Sequence, residues 1–211
     1  MNRLLLATRS ADKVREIREI LRAAGAGVDL QSLDEAHVHW KPEEDRLEEF
    51  DSFRANARAK AEYFARLTGL PTVADDSGLE VVSLGGAPGV RSKRFAPDAA
   101  RLAGKALDAA NNAELLRRLQ GADEPRRRAC YVCVALLLRS PKAAGESFTG
   151  RSWGRVLTEP RGTGGFGYDP LFFHEGLGKS FGEATPEEKH GVSHRGDAFR
   201  QLAEALAARP L

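Results

Sequence analysis

Short apolar runs alternate with amphipathic stretches along the first third of the chain. Residues 4–7 are apolar throughout and predict a short buried strand. Apolar side chains then recur at helical spacing, at Val14, Ile17, Ile20, Leu21 and Ala24. Ser10 is suited to cap the start of this helix and Gly25 to follow its end, so we expect a strand that leads directly into a helix.

A second amphipathic helix follows a stretch without clear periodicity. Residues 28–50 are poorly patterned and contain the most acidic part of the chain, which is typical of solvated surface. Residues 53–64 then predict a helix that ends near Gly69. Asn56 and Lys60 lie four positions apart on this helix and therefore share a face.

Two adjacent carboxylates interrupt the apolar residues that come next. The stretch Asp75-Asp76-Ser77-Gly78 lies between two apolar runs and predicts two strands joined by a short polar link. Neighbouring carboxylates repel each other and lose hydration when buried, so they are typically kept beside a cation, and a metal site is one interpretation. A tight turn is the other, because Asp, Ser and Gly are also preferred turn residues.

The second half of the chain continues the alternation of helices and strands. Its pattern predicts helices at residues 98–119 and 193–206. Between them it predicts strands at residues 131–138, 148–156 and 171–173. The stretch Thr185-Pro186-Glu187-Glu188 has the form of a capping box with proline at the first helical position. With no repeat and no long linker, we expect a single α/β domain over residues 1–211, bilobed with the site between its lobes.

Composition narrows the class of protein without deciding its function. The chain has 211 residues, 42% of them hydrophobic and 29% charged, which is ordinary for a globular protein. Its net charge of +2 gives no support for nucleic acid or a membrane as a partner. Charged residues follow the N-terminus too closely for a signal peptide, and no run approaches the ~18 apolar residues of a membrane span. With only two cysteines, we expect a cytoplasmic protein with reduced thiols.

The segment from Thr8 to Lys13 has the features of an anion site. It joins the first strand to the N-terminus of the first helix, where free backbone N–H groups and the helix dipole favour negative charge. Lys13 lies in the first turn, where a cation opposes the dipole but is well placed to hold a phosphate. The alternative is a lysine that points into water.

Three short motifs do not support the functions that they imitate. The glycines of residues 162–167 satisfy G-x-G-x-x-G, but Pro170 follows where a dinucleotide site needs a helix. Residues 178–180 imitate the end of a P-loop without its earlier glycine. Cys130 and Cys133 would point to opposite faces of a strand and have no second cysteine pair for zinc, so both are interpreted as buried small residues.

Two further segments indicate a flat, acceptor-rich ligand. In residues 164–167 the glycines let backbone approach a planar ligand while the ring of Phe166 stacks on it. His194 and Arg195 follow Ser193 at a predicted helix start, where a cation cluster favours an anionic ligand. The plain alternatives are a structural loop and two exposed polar residues. Together with the phosphate and carboxylate sites, these segments predict a nucleotide.

Several of these segments, in order, resemble those of one family. They are LATRSADKVREI, FRANARAKA, VADDSGLEV followed by LGGAPGV, GTGGFGYDPLFF and EEKHGVSHRGDAF. From Leu4 to about Leu206 the chain resembles the inosine triphosphate pyrophosphatases, also called non-canonical purine nucleoside triphosphate pyrophosphatases. The resemblance implies an elongated α/β fold around a mixed sheet flanked by helices, two lobes with the nucleotide cleft between them, and a homodimer. It also implies Mg²⁺-dependent hydrolysis of ITP, dITP and XTP to the monophosphate and pyrophosphate, which clears deaminated purines from the nucleotide pool.

The resemblance also implies roles for individual residues. Asp76 would be the catalytic carboxylate and a metal ligand, and Glu48 aligns with a second acidic ligand. The residues expected to bind substrate are Thr8, Arg9, Ser10, Ala11, Asp12, Lys13, Asn56, Lys60, Ser77, Phe166, Gly167, Tyr168, Asp169, Lys189, His194 and Arg195. Water activated by the metal and a carboxylate would attack the α-phosphorus, with the lysines neutralising charge on the phosphates.

The chain departs from the family's usual patterns at two places. The N-terminal motif T-G-N-x-G-K has Ser10 in place of asparagine and Asp12 in place of its second glycine. Asp12 must therefore turn away from a phosphate or help to hold the cation. The motif that contains Glu48 lacks its glycine, and the role of Asp75 stays open between metal partner and structural acceptor. A Maf-like pyrophosphatase acting on other nucleotides, or a nucleotide-binding regulator without hydrolysis, are the alternative functions.

Overall fold

Strands from along the whole chain build one mixed sheet. The computed structural model describes residues 2–211, and within them the strands are β1 (Asn2–Leu6), β2 (Val28–Ser32), β3 (Thr72–Val81), β4 (Arg128–Leu138), β5 (Glu146–Val156), β6 (Phe172–His174) and β7 (Lys179–Ser180). Their order across the sheet is β2-β1-β3-β4-β5-β6-β7. β1 runs parallel to β2 and β3, whereas β6 runs antiparallel to β5 and β7. The predicted mixed sheet is therefore confirmed.

Helices occupy most of the predicted helical segments. They are α1 (Ala11–Ala23), α2 (Phe53–Thr68), α3 (Gly104–Arg118), α4 (Pro186–Val192) and α5 (His194–Ala208). Short 3₁₀ helices lie at Pro42–Arg46, Val82–Leu84, Gly89–Arg94, Ala99–Arg101 and Glu124–Arg127. In the part of the chain that the structure describes, no helix is both long and apolar enough to cross a membrane.

The chain divides into two compact units. The first unit contains the chain up to Asp76 together with Cys133–Gly150 and His194–Leu211, and the second contains Ser77–Val132 and Arg151–Ser193. Buried apolar residues of the first unit include Leu4, Leu6, Ile17, Ile20, Val73, Ala135, Leu137, Phe199 and Leu202. Those of the second unit include Leu79, Val81, Leu115, Tyr131, Val156, Leu171, Phe172 and Phe181. The single bilobed domain and the cleft implied by the resemblance stay predictions.

Local signals at both ends of α1 act as predicted. Ser10 has extended backbone and its Oγ accepts a hydrogen bond from the backbone N–H of Lys13 at 3.3 Å. Gly25 directly follows the C-cap residue Ala24. The φ of Gly25 is +64°, a conformation that glycine adopts at little cost. These caps fix where the helix begins, and therefore place Lys13 in its first turn.

Two features of the sheet differ from the prediction. β3 runs through Asp75 and Asp76 without a turn, because ion pairs and hydrogen bonds compensate both carboxylates inside the strand. β2 was not predicted, since its five residues are all half-buried and show no alternation. Its position depends on parallel pairing with β1, in register from Asn2 with Val28 to Leu6 with Ser32, which no local pattern encodes.

Candidate active site

Two side chains of α2 hold the carboxylate of Asp76. Asp76 lies in β3 and is 7% exposed. The amide Nδ2 of Asn56 donates to its Oδ2 at 2.9 Å, and the ammonium Nζ of Lys60 lies 3.3 Å from its Oδ1. Because Asn56 and Lys60 are one helical turn apart, the predicted shared face brings both to one carboxylate.

The irregular segment before α2 supplies a second carboxylate. Glu48 Oε1 accepts a hydrogen bond from Lys60 Nζ at 2.6 Å, and the Glu48 side chain keeps about a third of its surface exposed. Asn56 Oδ1 in turn accepts from the backbone N–H of Phe50 at 3.0 Å. The two polar residues of α2 therefore hold this segment as well as Asp76, and Lys60 bridges two carboxylates.

The charge balance around Asp76 leaves an excess of carboxylates. Burial raises the pKa of Asp76, Lys60 opposes this shift, and the neighbouring Glu48 adds to it. Burial would lower the pKa of Lys60, but the two carboxylates raise it above its ordinary value. The ion pairs form two sets: Lys60 with Glu48 and Asp76, and Lys13 and Arg195 with Asp75 and Glu16. In the first set one lysine faces two carboxylates.

Asp75 is completely buried and is engaged by cations on two helices. Its Oδ2 lies 3.0 Å from Lys13 Nζ of α1 and 3.5 Å from Arg195 Nη2 of α5, with the thiol of Cys133 at 4.0 Å. Arg195 also pairs through Nη1 with Glu16 at 2.7 Å. Burial alone would raise the pKa of Asp75, but Lys13 and Arg195 hold it well below its usual range. Asp75 therefore acts in this structure as an ionised anchor for two cations.

The segment before α1 is ordered by its own hydroxyl groups. Thr8 Oγ1 accepts from the backbone N–H of Ser10 at 3.2 Å, and Ser10 caps the helix. Ala11 is the first residue of α1 and is exposed. The Lys13 side chain keeps 16% of its surface exposed while it pairs with Asp75. This segment thus keeps the helix N-terminus and a partly accessible lysine together, as an anion site requires.

Asp12 and Arg9, the other charged residues of this segment, have protein partners. Asp12 pairs with Arg15 at 2.7 Å, so its carboxylate turns along the helix surface. The guanidinium of Arg9 binds both carboxylate oxygens of Glu44, at 2.8 and 3.0 Å, and donates to the backbone oxygen of Val38 at 2.7 Å. This pairing agrees with the alternative in which the Asp12 carboxylate turns away from a phosphate, and contact of Asp12 with substrate stays a prediction.

A cavity of about 380 Å³ lies along α1 but does not include the carboxylate cluster. Thr8, Arg9, Arg18 and Asp34 are among its lining residues, and Asp76 is not. Arginines that line the cavity pair with carboxylates of the same unit; for example, Arg18 Nη2 lies 2.7 Å from Glu35 Oε2. The cavity therefore includes Thr8 and Arg9 of the predicted phosphate segment but not the carboxylate of Asp76.

In the second unit, the glycine-rich loop is fixed around Asp169. Asp169 is 2% exposed, and its Oδ2 accepts from Lys189 Nζ at 2.6 Å and from the backbone N–H of Phe166 at 2.8 Å. The Lys189 ammonium also lies 5.1 Å from the centre of the Phe166 ring. A Cβ at Gly165, where φ is +69°, would lie 2.1 Å from Asp169 Oδ2, so only glycine fits there. The loop therefore places the buried ammonium of Lys189 beside the aromatic ring of Phe166.

The remaining predicted residues lie on the elements that carry these two groups. Ser77 is half-buried in β3, and His194, at the start of α5, is 3% exposed. Arg195 is 2% exposed, so both residues of this pair are buried and neither forms the exposed first turn considered as an alternative. Contact of His194 and Arg195 with substrate stays a prediction.

In the first unit the structure places Asn56 and Lys60 on Asp76, and Lys13 and Arg195 on the adjacent Asp75. In the second unit it joins Phe166 and Lys189 to Asp169. Glu16 is the partner of Arg195 that sequence reasoning missed. It is an acidic residue, 6% exposed, on the apolar face of α1 beside Ile17 and Ile20. That position on an otherwise apolar face is the signal that could have identified it.

Cys130 and Cys133 are buried free thiols, as interpreted from the sequence. Burial raises the pKa of the Cys133 thiol to about 12, and the nearby Asp75 carboxylate adds to this shift. Across residues 2–211, no three His, Cys, Asp or Glu side chains are grouped so as to hold a metal ion. The carboxylates of the cluster are instead interleaved with lysine and arginine.

The fold and the site define an α/β protein whose carboxylates and lysines form the kind of polar cluster used in phosphoryl chemistry. The model of the Ham1 family matches residues 4–205. The chain belongs to the Ham1 family.

Individual members of the family cover nearly the whole chain. It is 44% identical to a dITP/XTP pyrophosphatase of Frankia alni, over 97% of this chain and 96% of that protein. It is 43% identical to a dITP/XTP pyrophosphatase of Thermus thermophilus, over 99% of this chain and 93% of that protein. Among solved structures, a HAM1 protein from Coxiella burnetii superposes with a TM-score of 0.82 at 35% identity, over 99% of this chain and 100% of that one.

Proposed function

We propose that the protein hydrolyses the non-canonical purine nucleoside triphosphates ITP, dITP and XTP to the monophosphate and pyrophosphate. The observation that carries this is the buried Asp76 carboxylate with a raised pKa, held by Asn56 and Lys60. Relatives that are 43–44% identical bear the name dITP/XTP pyrophosphatase, which agrees with this reaction. The cellular role would be to remove deaminated purines from the nucleotide pool.

The reaction is a displacement at the α-phosphorus by water. Asp76 accepts a proton from the attacking water, the role of a carboxylate general base. The new bond joins the water oxygen to the α-phosphorus, and the bond to the bridging oxygen breaks with its electron pair leaving on pyrophosphate. Lys13 and Lys60 stabilise the negative charge that develops on the phosphate oxygens.

A magnesium ion fits the donor set of this cluster. Mg²⁺ in nucleotide enzymes is usually held by one or two carboxylates together with substrate phosphates, rather than by a cage of protein ligands. Glu48 and Asp76 provide two carboxylates that share one lysine, in a cluster with excess negative charge. We propose that these two residues hold the ion. When bound, it would supply neutralisation of the triphosphate and polarisation of the scissile group.

Replacing Glu48 by glutamine should weaken magnesium binding. Glu48→Gln keeps an oxygen acceptor for Lys60 but loses the charge, so the magnesium concentration for half-maximal rate should rise at least about tenfold. Glu49→Gln, an exposed neighbour, is the matched control and should leave this concentration unchanged. An unaltered magnesium requirement in the Glu48 variant, measured by titrating the metal into chelator-treated enzyme, would exclude Glu48 as a ligand.

For the second unit we propose contact with the purine base. The Phe166 ring offers a face on which a purine can stack, beside the buried Lys189 ammonium that pairs with Asp169. Donors from His194 and Arg195, or backbone N–H groups, would satisfy the 6-oxo oxygen of hypoxanthine or xanthine. They would leave the 6-amino group of adenine facing another donor, at a cost of about 1–3 kcal/mol per unpaired group.

Isotope incorporation tests the site of attack. ITP is hydrolysed in ¹⁸O-labelled water and the products are separated by mass spectrometry. Attack at the α-phosphorus places the label in IMP and leaves pyrophosphate unlabelled. Label in pyrophosphate, or release of IDP and orthophosphate, would refute the proposed reaction.

We also propose that the protein is a homodimer, as the family resemblance implies. Analytical ultracentrifugation can test this. The cytoplasmic location and the absence of a nucleic-acid partner stay predictions.

A further inference from the structure

Both backbone hydrogen-bonding groups of Gly167 are held by side chains of α3. The Gly167 N–H donates to Asp108 Oδ2 at 2.9 Å, and Asn112 Nδ2 donates to the Gly167 carbonyl at 3.0 Å. Asp108 and Asn112 are four residues apart and so project from one face of the helix. Gly167 has a φ of +63°, so its peptide groups face directions that a side chain at this position would rarely permit. One helix face thus clamps one residue of the loop.

The residues on either side of Gly167 are fixed from other directions. The backbone N–H of Phe166 donates to Asp169, as described above. The phenol of Tyr168 donates to the Ser92 carbonyl at 2.8 Å, and burial raises the pKa of that phenol. The clamp is therefore the contact that ties the middle of the loop to α3, while Asp169 and Ser92 hold its ends. Hydrogen bonds to Gly167, Phe166 and Tyr168 from three directions favour a single conformation of this loop.

We propose that Asp108 and Asn112 are positioning residues that set the place of the Phe166 ring and thereby the affinity and selectivity for the purine base. This rests on the proposed role of the loop in base binding. Neither side chain needs to touch the substrate. Phe166 is joined to Gly167 by one peptide bond, so a rotation of the Gly167 peptide is transmitted directly to the ring. A displacement of about 1 Å in a positioning group can cost up to about 10²-fold in rate.

Hydrogen-bond direction makes the proposal specific. Asp108 acts as an acceptor, and Asp108→Asn retains an amide oxygen that can take the same N–H. Asn112 acts as a donor, and Asn112→Asp would place a carboxylate oxygen against the Gly167 carbonyl, so that two acceptors face each other. The two isosteric exchanges therefore have opposite expected outcomes. Lys105→Ala, an exposed change on the same helix, is the control.

Steady-state kinetics with ITP and ATP provide the test. Asp108→Ala and Asn112→Asp should raise KM for ITP roughly tenfold and narrow the preference for ITP over ATP, with kcat changed less than KM. Asp108→Asn and Lys105→Ala should resemble the wild type. Unchanged KM and preference in both disruptive variants would overturn the proposal, as would an Asp108→Asn variant as impaired as Asp108→Ala. If Asn112→Asp does not fold, the Asp108 pair alone decides.

A measurement independent of activity separates this inference from the proposed function. Amide hydrogen exchange at Gly167, followed by NMR, should be slow in the wild type and in Asp108→Asn, and at least about tenfold faster in Asp108→Ala. Equal exchange in all three would overturn the clamp whatever the substrate. A wild type without preference for ITP but with the expected exchange pattern would count against the proposed function and leave the clamp standing.

Discussion

Asp76→Asn should lower kcat for ITP by about 10³-fold or more while the protein remains folded. A general base of this kind contributes about 10²–10⁴-fold, and the amide can neither accept the proton of water nor hold a cation with its former charge. The exchange preserves shape and leaves Asn56 an oxygen to which it can donate. Pyrophosphate release under saturating ITP and magnesium measures the effect.

The stability of this variant should stay close to that of the wild type. Because the pKa of Asp76 is raised in the folded protein, folding disfavours its charged form, and a neutral amide avoids that cost. Lys60 keeps Glu48 as a partner at 2.6 Å. Asp45→Asn, an exposed change in the same unit, should leave both kcat and Tm unaltered. A kcat for Asp76→Asn above a tenth of the wild-type value would remove Asp76 from its assigned role.

Arg195→Met should strongly destabilise the protein. It leaves the buried carboxylates of Glu16 and Asp75 without the guanidinium that they share. Removing one partner of a buried ion pair costs about 3–5 kcal/mol, which in a chain of this size lowers Tm by roughly 10 °C. In the wild type the contribution of Asp75 is present above its ordinary pKa of 3.8, because its folded-state pKa is lowered, and is lost as the pH falls below that value.

The control for this prediction is a matched change at the surface. Arg66→Met alters an exposed arginine of α2 and should change the free energy of unfolding by no more than about 0.5 kcal/mol. Adding Glu16→Gln to Arg195→Met removes the buried carboxylate that loses its 2.7 Å guanidinium partner, and should restore part of the loss, while Asp75 keeps Lys13 at 3.0 Å. Thermal unfolding followed by circular dichroism is sufficient. If the Tm of Arg195→Met lies within about 2 °C of the wild-type Tm, the ion pairs of Arg195 with Glu16 and Asp75 are not needed for stability.

Local patterns in the sequence predicted the features that depend on near neighbours. The cap at Ser10 and the shared face of Asn56 and Lys60 both follow from spacings of three or four residues. The sequence also placed Asp75 and Asp76 beside apolar strand residues. The predicted turn at these residues was wrong, because β3 continues through both of them. The cations that compensate these carboxylates come from α1, α2 and α5, and local periodicity carries no information about such distant partners.

The partners that sequence reasoning missed are all distant along the chain. Glu16 and Arg195 are 179 positions apart, and Gly167 is 59 and 55 positions from Asp108 and Asn112. Each pairing depends on which elements pack together, which is a property of the fold. The motif resemblance identified Asp76 and the loop of Phe166 but assigned no role to Glu16, Asp108 or Asn112. Those roles follow only from distances and hydrogen-bond directions.

A panel of nucleoside triphosphates tests the central claim most directly. Pyrophosphate release is measured for ITP, dITP, XTP, GTP, ATP, CTP and UTP, with and without magnesium. We expect kcat/KM for ITP, dITP and XTP to exceed that for ATP by about 10²-fold, in line with one or two mismatched buried groups, and to require the metal. Equal efficiency on ATP and ITP, a preference for pyrimidine nucleotides, or binding without pyrophosphate release would each contradict the account.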